Sequence, residues 1–146
     1  TAKVMREKFP KLQSYVSVNK ALVTQASAAI PIVPLYFAIL YKVMKQAGNH
    51  EGCIEQISRL FKEKLLEEQV PVDEEGRIRM DDWELSEEVQ KKVVEAWKQV
   101  TTENVTEISD IEGYWEDFYQ MFGFHLSGVD YGKDVDVEVK IPSLEA

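Results

Sequence analysis

The sequence has few of the features that build disulfides, membrane spans or nucleic-acid surfaces. One cysteine among 146 residues excludes an internal disulfide and fits a reducing compartment. The apolar stretch at residues 26–41 contains two prolines and is shorter than the roughly 20 residues that a membrane-spanning helix needs. A formal net charge of −9, without a basic stripe, argues against binding to nucleic acid. We therefore expect no membrane span and no nucleic-acid partner.

The chain also lacks the glycine pattern of a dinucleotide-binding turn. Its seven glycines are scattered, and none forms the G-x-G-x-x-G pattern that lets a backbone approach a pyrophosphate. A complete dinucleotide site therefore needs residues beyond this chain.

Clusters of polar residues that resemble reactive sites are incomplete. His50, Cys53 and Glu55 lie close together, but no second His/Cys pair completes a zinc set, so we predict no metal site. No base is positioned beside Cys53, which we interpret as a small buried filler. Asp81 and Asp82 are adjacent on an extended segment, so their side chains point to opposite sides and we expect structural roles for both.

The segment from Tyr15 to Pro34 is the most informative part of the chain. Tyr15, Val16 and Val18 favour a strand that runs to about residue 23. Small and polar residues follow, and then an apolar run with two prolines. A strand that leads through a threonine-bearing turn into an apolar helix often forms the wall of a ligand site in α/β folds. The alternative is an ordinary buried joint between a strand and a helix.

The rest of the pattern is mainly helical. Pro10 ends a first helix at residues 1–9, and a second helix covers Leu35 to Lys45 and ends near Gly48. Further helices are predicted at residues 51–68, from Ser86 through Trp97, at 102–108, and from Ser109 to Phe122. The apolar side of the helix at 51–68 is predicted to hold Ile54, Ile57, Leu60, Phe61 and Leu65. The aromatic rings of the last helix, apart from Tyr114, are predicted to pack in the core. Short strands are predicted at residues 77–80 and 135–141.

Several blocks of sequence are similar to one known family. They are residues 16–24, 29–31, 34–36, 42–45, 50–56, 77–85 and 128–131, and they follow one another in the family's order. The chain resembles the carboxyl-terminal part of the NADH-dependent trans-2-enoyl-CoA reductases, a family that includes the FabV-type enoyl-ACP reductases. The resemblance covers nearly the whole chain, whereas members of the family are several hundred residues long.

The resemblance implies an α/β fold class: a carboxyl-terminal piece of a Rossmann-like, enlarged short-chain dehydrogenase fold, predominantly helical with few strands. We expect residues 1–146 to form one structural unit, with a cofactor turn (15–25), a helical cover (26–47), a helical remainder (50–123) and a tail (124–146). The implied protein reduces the 2,3 double bond of enoyl-CoA or enoyl-ACP thioesters with NADH in fatty acid synthesis. It would be intracellular, in a bacterial cytoplasm or a mitochondrion.

The resemblance also implies site residues. The family's catalytic tyrosine and lysine lie upstream of Thr1, so this chain contributes none and should be inactive without the upstream part of the reductase. Leu22 and Val23 resemble the backbone contacts to the nicotinamide of NADH, and Thr24 the hydroxyl contact. Thr24 is equally placed to cap the next helix.

The acyl pocket is implied at two places. Val33, Phe37 and Tyr41 are spaced four apart on one helix face, and Tyr114 matches the family position where a tyrosine reaches the acyl chain. The bulk of Phe37 and Tyr41 should favour short or medium acyl chains. The same residues are equally suited to an ordinary core.

Two other functions remain compatible with the residues. The chain suits a non-catalytic helical binding module, in which the apolar stripe docks a partner helix. It also suits another NAD(P)H-dependent short-chain reductase.

Overall fold

The computed structural model describes residues 2–135. Its elements are α1 (Ala2–Lys8), β1 (Val16–Val18), α2 (Gln25–Ala29), α3 (Val33–Ala47), α4 (Cys53–Arg59), a π-helical segment (Leu60–Leu65), β2 (Arg77–Arg79), α5 (Glu87–Gln99), α6 (Val105–Ile108) and α7 (Ile111–Gln120). All but the first residue of the strand predicted at 135–141 lies outside the described residues. Within residues 2–135, the model holds no helix long and apolar enough to cross a membrane.

The two strands form a small parallel sheet. Val16 pairs with Arg77, Ser17 with Ile78 and Val18 with Arg79. The carbonyl of Val18 then accepts hydrogen bonds from the N–H groups of Met80 and Asp81. Because parallel strands joined by helices define an α/β arrangement, this part of the fold class is confirmed. The first strand is much shorter than the predicted 15–23, since the N–H groups of Lys20, Ala21 and Val23 bond to side chains instead of to a neighbouring strand.

The core forms around α3. One cluster contains Ile39, Leu40, Val43 and Met44 of α3, packed against Val89 and Val93 of α5. A second cluster joins Val23, Ala38 and Tyr41 to Tyr114 of α7. The prediction of an α3 helix is confirmed, and Gly48 closes it in the left-handed conformation, with φ of 72°.

Two predicted helix starts differ in detail. Ser86 occupies the cap position of α5, but its hydroxyl donates to the carbonyl of Trp83 instead of accepting from the helix. Asp110 caps α7 in place of Ser109, and it accepts from the N–H of Gly113 at 3.1 Å. Ser109 lies one residue before the cap, and its hydroxyl donates to the carbonyl of Val105.

The apolar side predicted for the helix at 51–68 is wrong. Ile54, Ile57 and Phe61 are exposed, whereas Gln56 and Arg59 are buried. The polar pair is buried because both side chains have internal partners: Gln56 holds a backbone N–H and Arg59 two carboxylates. The predicted core packing of the aromatic rings at 114–122 is only partly right. Tyr114 is buried and Phe118 packs against the second core cluster, whereas Trp115, Tyr119 and Phe122 are exposed and contact one another or Phe118.

Candidate functional site

The candidate site begins where β1 ends and residues 19–24 cross to α2. Three backbone N–H groups of this segment donate to side chains of other elements. The pairs are Lys20 N–Gln56 Oε1 at 2.9 Å, Ala21 N–Glu84 Oε2 at 2.7 Å and Val23 N–Tyr41 Oη at 3.1 Å. The backbone of the predicted cofactor turn is therefore held in place on both sides of Leu22.

The groups left free in this turn suit an amide ligand. Among residues 2–135, the N–H of Leu22 and the carbonyls of Leu22 and Val23 make no hydrogen bond. A carboxamide needs one donor for its oxygen and acceptors for its two N–H groups. The backbone at Leu22 and Val23 therefore fits the nicotinamide carboxamide of NADH, with the donor supplied by Leu22 because the N–H of Val23 is taken by Tyr41.

Thr24 caps α2. Its Oγ1 accepts from the N–H of Ser27 at 3.0 Å, and the hydroxyl of Ser27 accepts from the N–H of Thr24 at 2.8 Å. This reciprocal pair is a capping box. The cap uses only a lone pair of Thr24, and within the described part of the chain its hydroxyl hydrogen has no acceptor. The side chain is exposed, so capping and a contact to a cofactor are compatible.

A cleft of about 590 Å³ opens beside this turn. Its walls are Leu22, Val23 and Thr24, residues 52–55 at the start of α4, and Asp117, Gln120, Met121 and Leu126 from α7 and the chain after it. Cys53 is exposed in this wall, which corrects its interpretation as a buried filler. Cys53 is the first residue of α4.

The residues predicted for the acyl pocket are only partly brought together. Tyr41 and Tyr114 lie with Val23 in the second core cluster, and Phe37 packs against its edge. The rings of Phe37 and Tyr41 stack with 6.3 Å between centroids. Val33, at the first turn of α3, is not part of this cluster.

The two tyrosines have different polar environments. Tyr41 and Tyr114 are 1% and 0% exposed. The hydroxyl of Tyr41 is bonded to Val23, whereas that of Tyr114 is buried without a hydrogen-bond partner in residues 2–135. Because an unpaired buried hydroxyl is unfavourable, Tyr114 is suited to bonding a group from outside these residues.

Two titratable side chains, Lys20 and His50, contact the ring of Tyr41, and the sequence analysis predicted neither contact. Lys20 is 2% exposed, its Nζ lies 4.5 Å from the ring centroid of Tyr41, and it donates to the carbonyl of Ala21. Burial lowers the pKa of Lys20 to about 8, partly offset by Glu84 and Asp117. His50 packs against the other side of the Tyr41 environment with ring centroids 4.5 Å apart, and burial lowers its pKa to about 4. The imidazole is therefore neutral at pH 7.

An ionic network around the buried Arg59 joins α4 to the loop that follows β2. Arg59 bonds to Glu51, to Asp82 and to the carbonyl of Met80. Asp82 also pairs with Lys64, while Asp81 pairs with Arg79. The two adjacent aspartates therefore have different partners and no shared site, as predicted. The pairing of Asp82 could not be predicted because Arg59 lies far from it in sequence.

The side chains of residues 2–135 do not form a metal site. No group of three or more His, Cys, Asp or Glu side chains in this range is arranged to hold an ion.

Two family models match the chain. "Trans-2-enoyl-CoA reductase catalytic region" matches residues 1–66, and "Enoyl reductase FAD binding domain" matches residues 72–135. The second description names FAD, whereas the solved structures that match the chain are complexes with NADH or NAD.

Curated relatives carry closely related sequences. An enoyl-[acyl-carrier-protein] reductase [NADH] of Coxiella burnetii is 59% identical over 133 residues, which cover 90% of this chain and 33% of the relative. A trans-2-enoyl-CoA reductase [NADH] of Clostridium perfringens is 61% identical over 125 residues, covering 86% of this chain and 32% of the relative. The chain therefore spans about a third of the length of these relatives.

Solved structures agree with the sequences. The trans-2-enoyl-CoA reductase of Clostridium acetobutulicum in complex with NADH superimposes with a TM-score of 0.84 at 52% identity, over 92% of this chain and 35% of that chain. The Treponema denticola trans-2-enoyl-CoA reductase in complex with NAD gives a TM-score of 0.85 at 51% identity, over 92% and 34%. From these matches, the chain belongs to the enoyl-ACP and trans-2-enoyl-CoA reductase family.

Proposed function

We propose that the protein containing this chain reduces the 2,3 double bond of trans-2-enoyl thioesters with NADH, in fatty acid synthesis. The observation that carries the proposal is the match at 52% identity to a reductase in complex with NADH. The thioester is carried by CoA or by acyl-carrier protein, as in the names of the relatives.

The turn at residues 22–24 would hold the nicotinamide end of the cofactor. The N–H of Leu22 donates to the carboxamide oxygen, the carbonyls of Leu22 and Val23 accept from the carboxamide nitrogen, and the hydroxyl of Thr24 donates to the cofactor. The free backbone groups and the cleft beside them support this assignment. Bound NADH supplies the hydride, and the upstream part of the reductase supplies the tyrosine and lysine that the family uses.

The acyl chain would lie against α3 and α7. Phe37 and Tyr41 line its path from α3, Tyr114 lines it from α7, and Val33 lies nearer the mouth. The shared cluster of Phe37, Tyr41 and Tyr114 supports the assignment for these three. An apolar lining stabilises the tail because each buried methylene contributes roughly 0.8 kcal/mol.

We propose that the protein as a whole has a Rossmann-like fold and that residues 1–146 form one structural unit of it. Bonds between the two matched segments support the single unit: β1 pairs with β2, Ala21 bonds to Glu84 and Arg59 bonds to Asp82. The partners are the thioester substrate and the upstream part of the same reductase. We place the enzyme in a bacterial cytoplasm, because the organisms of the relatives are bacteria.

The test is NADH oxidation with crotonyl-CoA by the full-length protein. Thr24→Val removes the hydroxyl at nearly constant volume, and Thr24→Ser is the matched control that keeps both the cap and the donor. Activity that depends on crotonyl-CoA, with a raised Kd for NADH in Thr24→Val and not in Thr24→Ser, is the expected result. A folded full-length protein that binds no NADH would overturn the proposal and favour a helical binding module. NADH binding with oxidation only by other carbonyl substrates would favour another short-chain reductase.

A further inference from the structure

The turn that we assign to the nicotinamide is held by side chains where a strand would ordinarily be held by a neighbouring strand. After Val18 the backbone leaves the sheet, and the N–H groups of Lys20, Ala21 and Val23 point to acceptors on separate parts of the chain. Two of these acceptors, Gln56 and Glu84, belong to residues without a place in the proposed catalysis.

Both acceptors belong to buried side chains, and Glu84 has two hydrogen-bond partners. Gln56 is 2% exposed on α4, and its Oε1 bonds to the N–H of Lys20. Glu84 is 7% exposed and bonds through one carboxylate oxygen to the N–H of Ala21 at 2.7 Å. The other oxygen of Glu84 accepts from the hydroxyl of Tyr36 at 2.8 Å. A buried side chain with two fixed partners has little freedom to move, so the backbone that it holds is also fixed.

The position of these bonds gives them a specific consequence. Leu22, whose N–H is free, follows directly after the residue that Glu84 holds and precedes the residue that Tyr41 holds. Loss of the Glu84 acceptor leaves the N–H of Ala21 unpaired in a half-buried position, which favours movement of the backbone toward another acceptor. Such a movement displaces the donor of Leu22 from the place where a carboxamide oxygen meets it.

We propose that Glu84 and Gln56 are positioning residues for cofactor binding: without touching NADH, they fix the backbone at Lys20 and Ala21 and thereby aim the N–H of Leu22 at the carboxamide. This inference rests on the proposed function. Glu84 acts from the loop after β2 and Gln56 from α4, so elements in both matched segments set the geometry of one turn.

The experiment uses the full-length protein and measures the Kd of NADH by fluorescence, the KM of crotonyl-CoA and the melting temperature. Glu84→Met and Gln56→Met remove the acceptors at similar volume. Glu84→Gln keeps an amide oxygen for Ala21 and is the conservative rescue. Glu88→Met is the matched control, because Glu88 is an exposed carboxylate on α5 whose partner is the nearby Lys92.

The expected result is a rise in the NADH Kd of about tenfold or more in both Met variants, which is the effect of losing one hydrogen bond to a charged or buried group. The KM of crotonyl-CoA stays near the wild-type value, Glu84→Gln recovers most of the NADH affinity, and Glu88→Met changes nothing. A lower melting temperature with an unchanged NADH Kd in either folded Met variant would overturn the inference, because it would show a purely structural role.

Failure of the inference is distinguishable from failure of the proposed function. A wild-type protein that does not oxidise NADH with crotonyl-CoA overturns both. An active wild type whose Gln56→Met and Glu84→Met variants bind NADH normally overturns the inference alone. If Glu84→Met does not fold, Gln56→Met decides the result.

Discussion

The guanidinium carbon of Arg59 lies 4.1 Å from the centre of the Trp83 ring, so the cation stacks on the indole while its nitrogens bond elsewhere. Arg59 is 5% exposed, and its nitrogens reach Glu51, Asp82 and the carbonyl of Met80. Planar stacking combined with several directed hydrogen bonds is a role that lysine cannot reproduce. This one side chain therefore connects α4 to the loop that follows β2.

We predict that Arg59→Met lowers the free energy of unfolding by about 3–5 kcal/mol, because it leaves the buried carboxylate of Glu51 without its partner. Urea denaturation of the full-length protein measures the loss. Combining Arg59→Met with Glu51→Gln should recover part of it, and Lys92→Met, which breaks an exposed pair, should have little effect. Equal stability of Arg59→Met and Lys92→Met would contradict the prediction.

Acidification should destabilise the protein through His50. Its pKa is lowered to about 4 in the folded state, below the usual 6.5, so the unfolded chain binds more protons between these values. Stability therefore falls as the pH falls from 6.5 to 4, by on the order of 2 kcal/mol after allowing for solvent screening. Thermal unfolding of wild type and His50→Phe across this range measures the difference. The Phe variant should lose less stability on acidification; parallel curves would refute the role of His50.

The length of the acyl chain should depend on Phe37. We expect Phe37→Ala to raise the ratio of kcat/KM for dodecenoyl-CoA to that for crotonyl-CoA by about tenfold, since removal of the ring makes room for further methylenes. Phe61→Ala removes an exposed phenylalanine of the π-helical segment and is the matched control. An unchanged ratio in Phe37→Ala would place the acyl chain elsewhere.

Gly48 should tolerate only residues that accept a left-handed backbone. Its φ is 72°, and a Cβ added there would meet no atom within 4 Å, so any cost arises from the backbone alone. We expect Gly48→Ala to cost about 1 kcal/mol and Gly48→Asn less, as measured by chemical denaturation. A larger loss of unfolding free energy in Gly48→Asn than in Gly48→Ala would exclude this explanation.

The sequence predicts those elements whose signals are local. The apolar run after Pro34 and the break at Gly48 are enough to place α3, and the helix predicted from Ser86 through Trp97 matches α5. Both depend on periodicity and on helix-ending residues, which act within a few positions.

The elements that were predicted wrongly depend on hydrogen-bond partners that are distant in sequence. The strand predicted at 15–23 ends at Val18 because acceptors on Gln56, Glu84 and Tyr41 replace a neighbouring strand. The buried face of α4 was wrongly placed because Arg59 and Gln56 pair with groups far along the chain. Thr24, Leu22 and Val23 were found only through resemblance, and their roles stay predictions. Glu84 carried no local signal of its own.

The boundary between the two matched segments, at residues 66–72, also constrains how this family can change. The carboxylate of Asp82 and the guanidinium of Arg59 lie on opposite sides of that boundary, as do Glu84 and Ala21. A recombination event that exchanged one segment for that of a distant homologue would separate residues adapted to each other. The two segments are therefore expected to be inherited together, and successful chimeras should cross over outside residues 16–114, which the sheet and the two core clusters hold together.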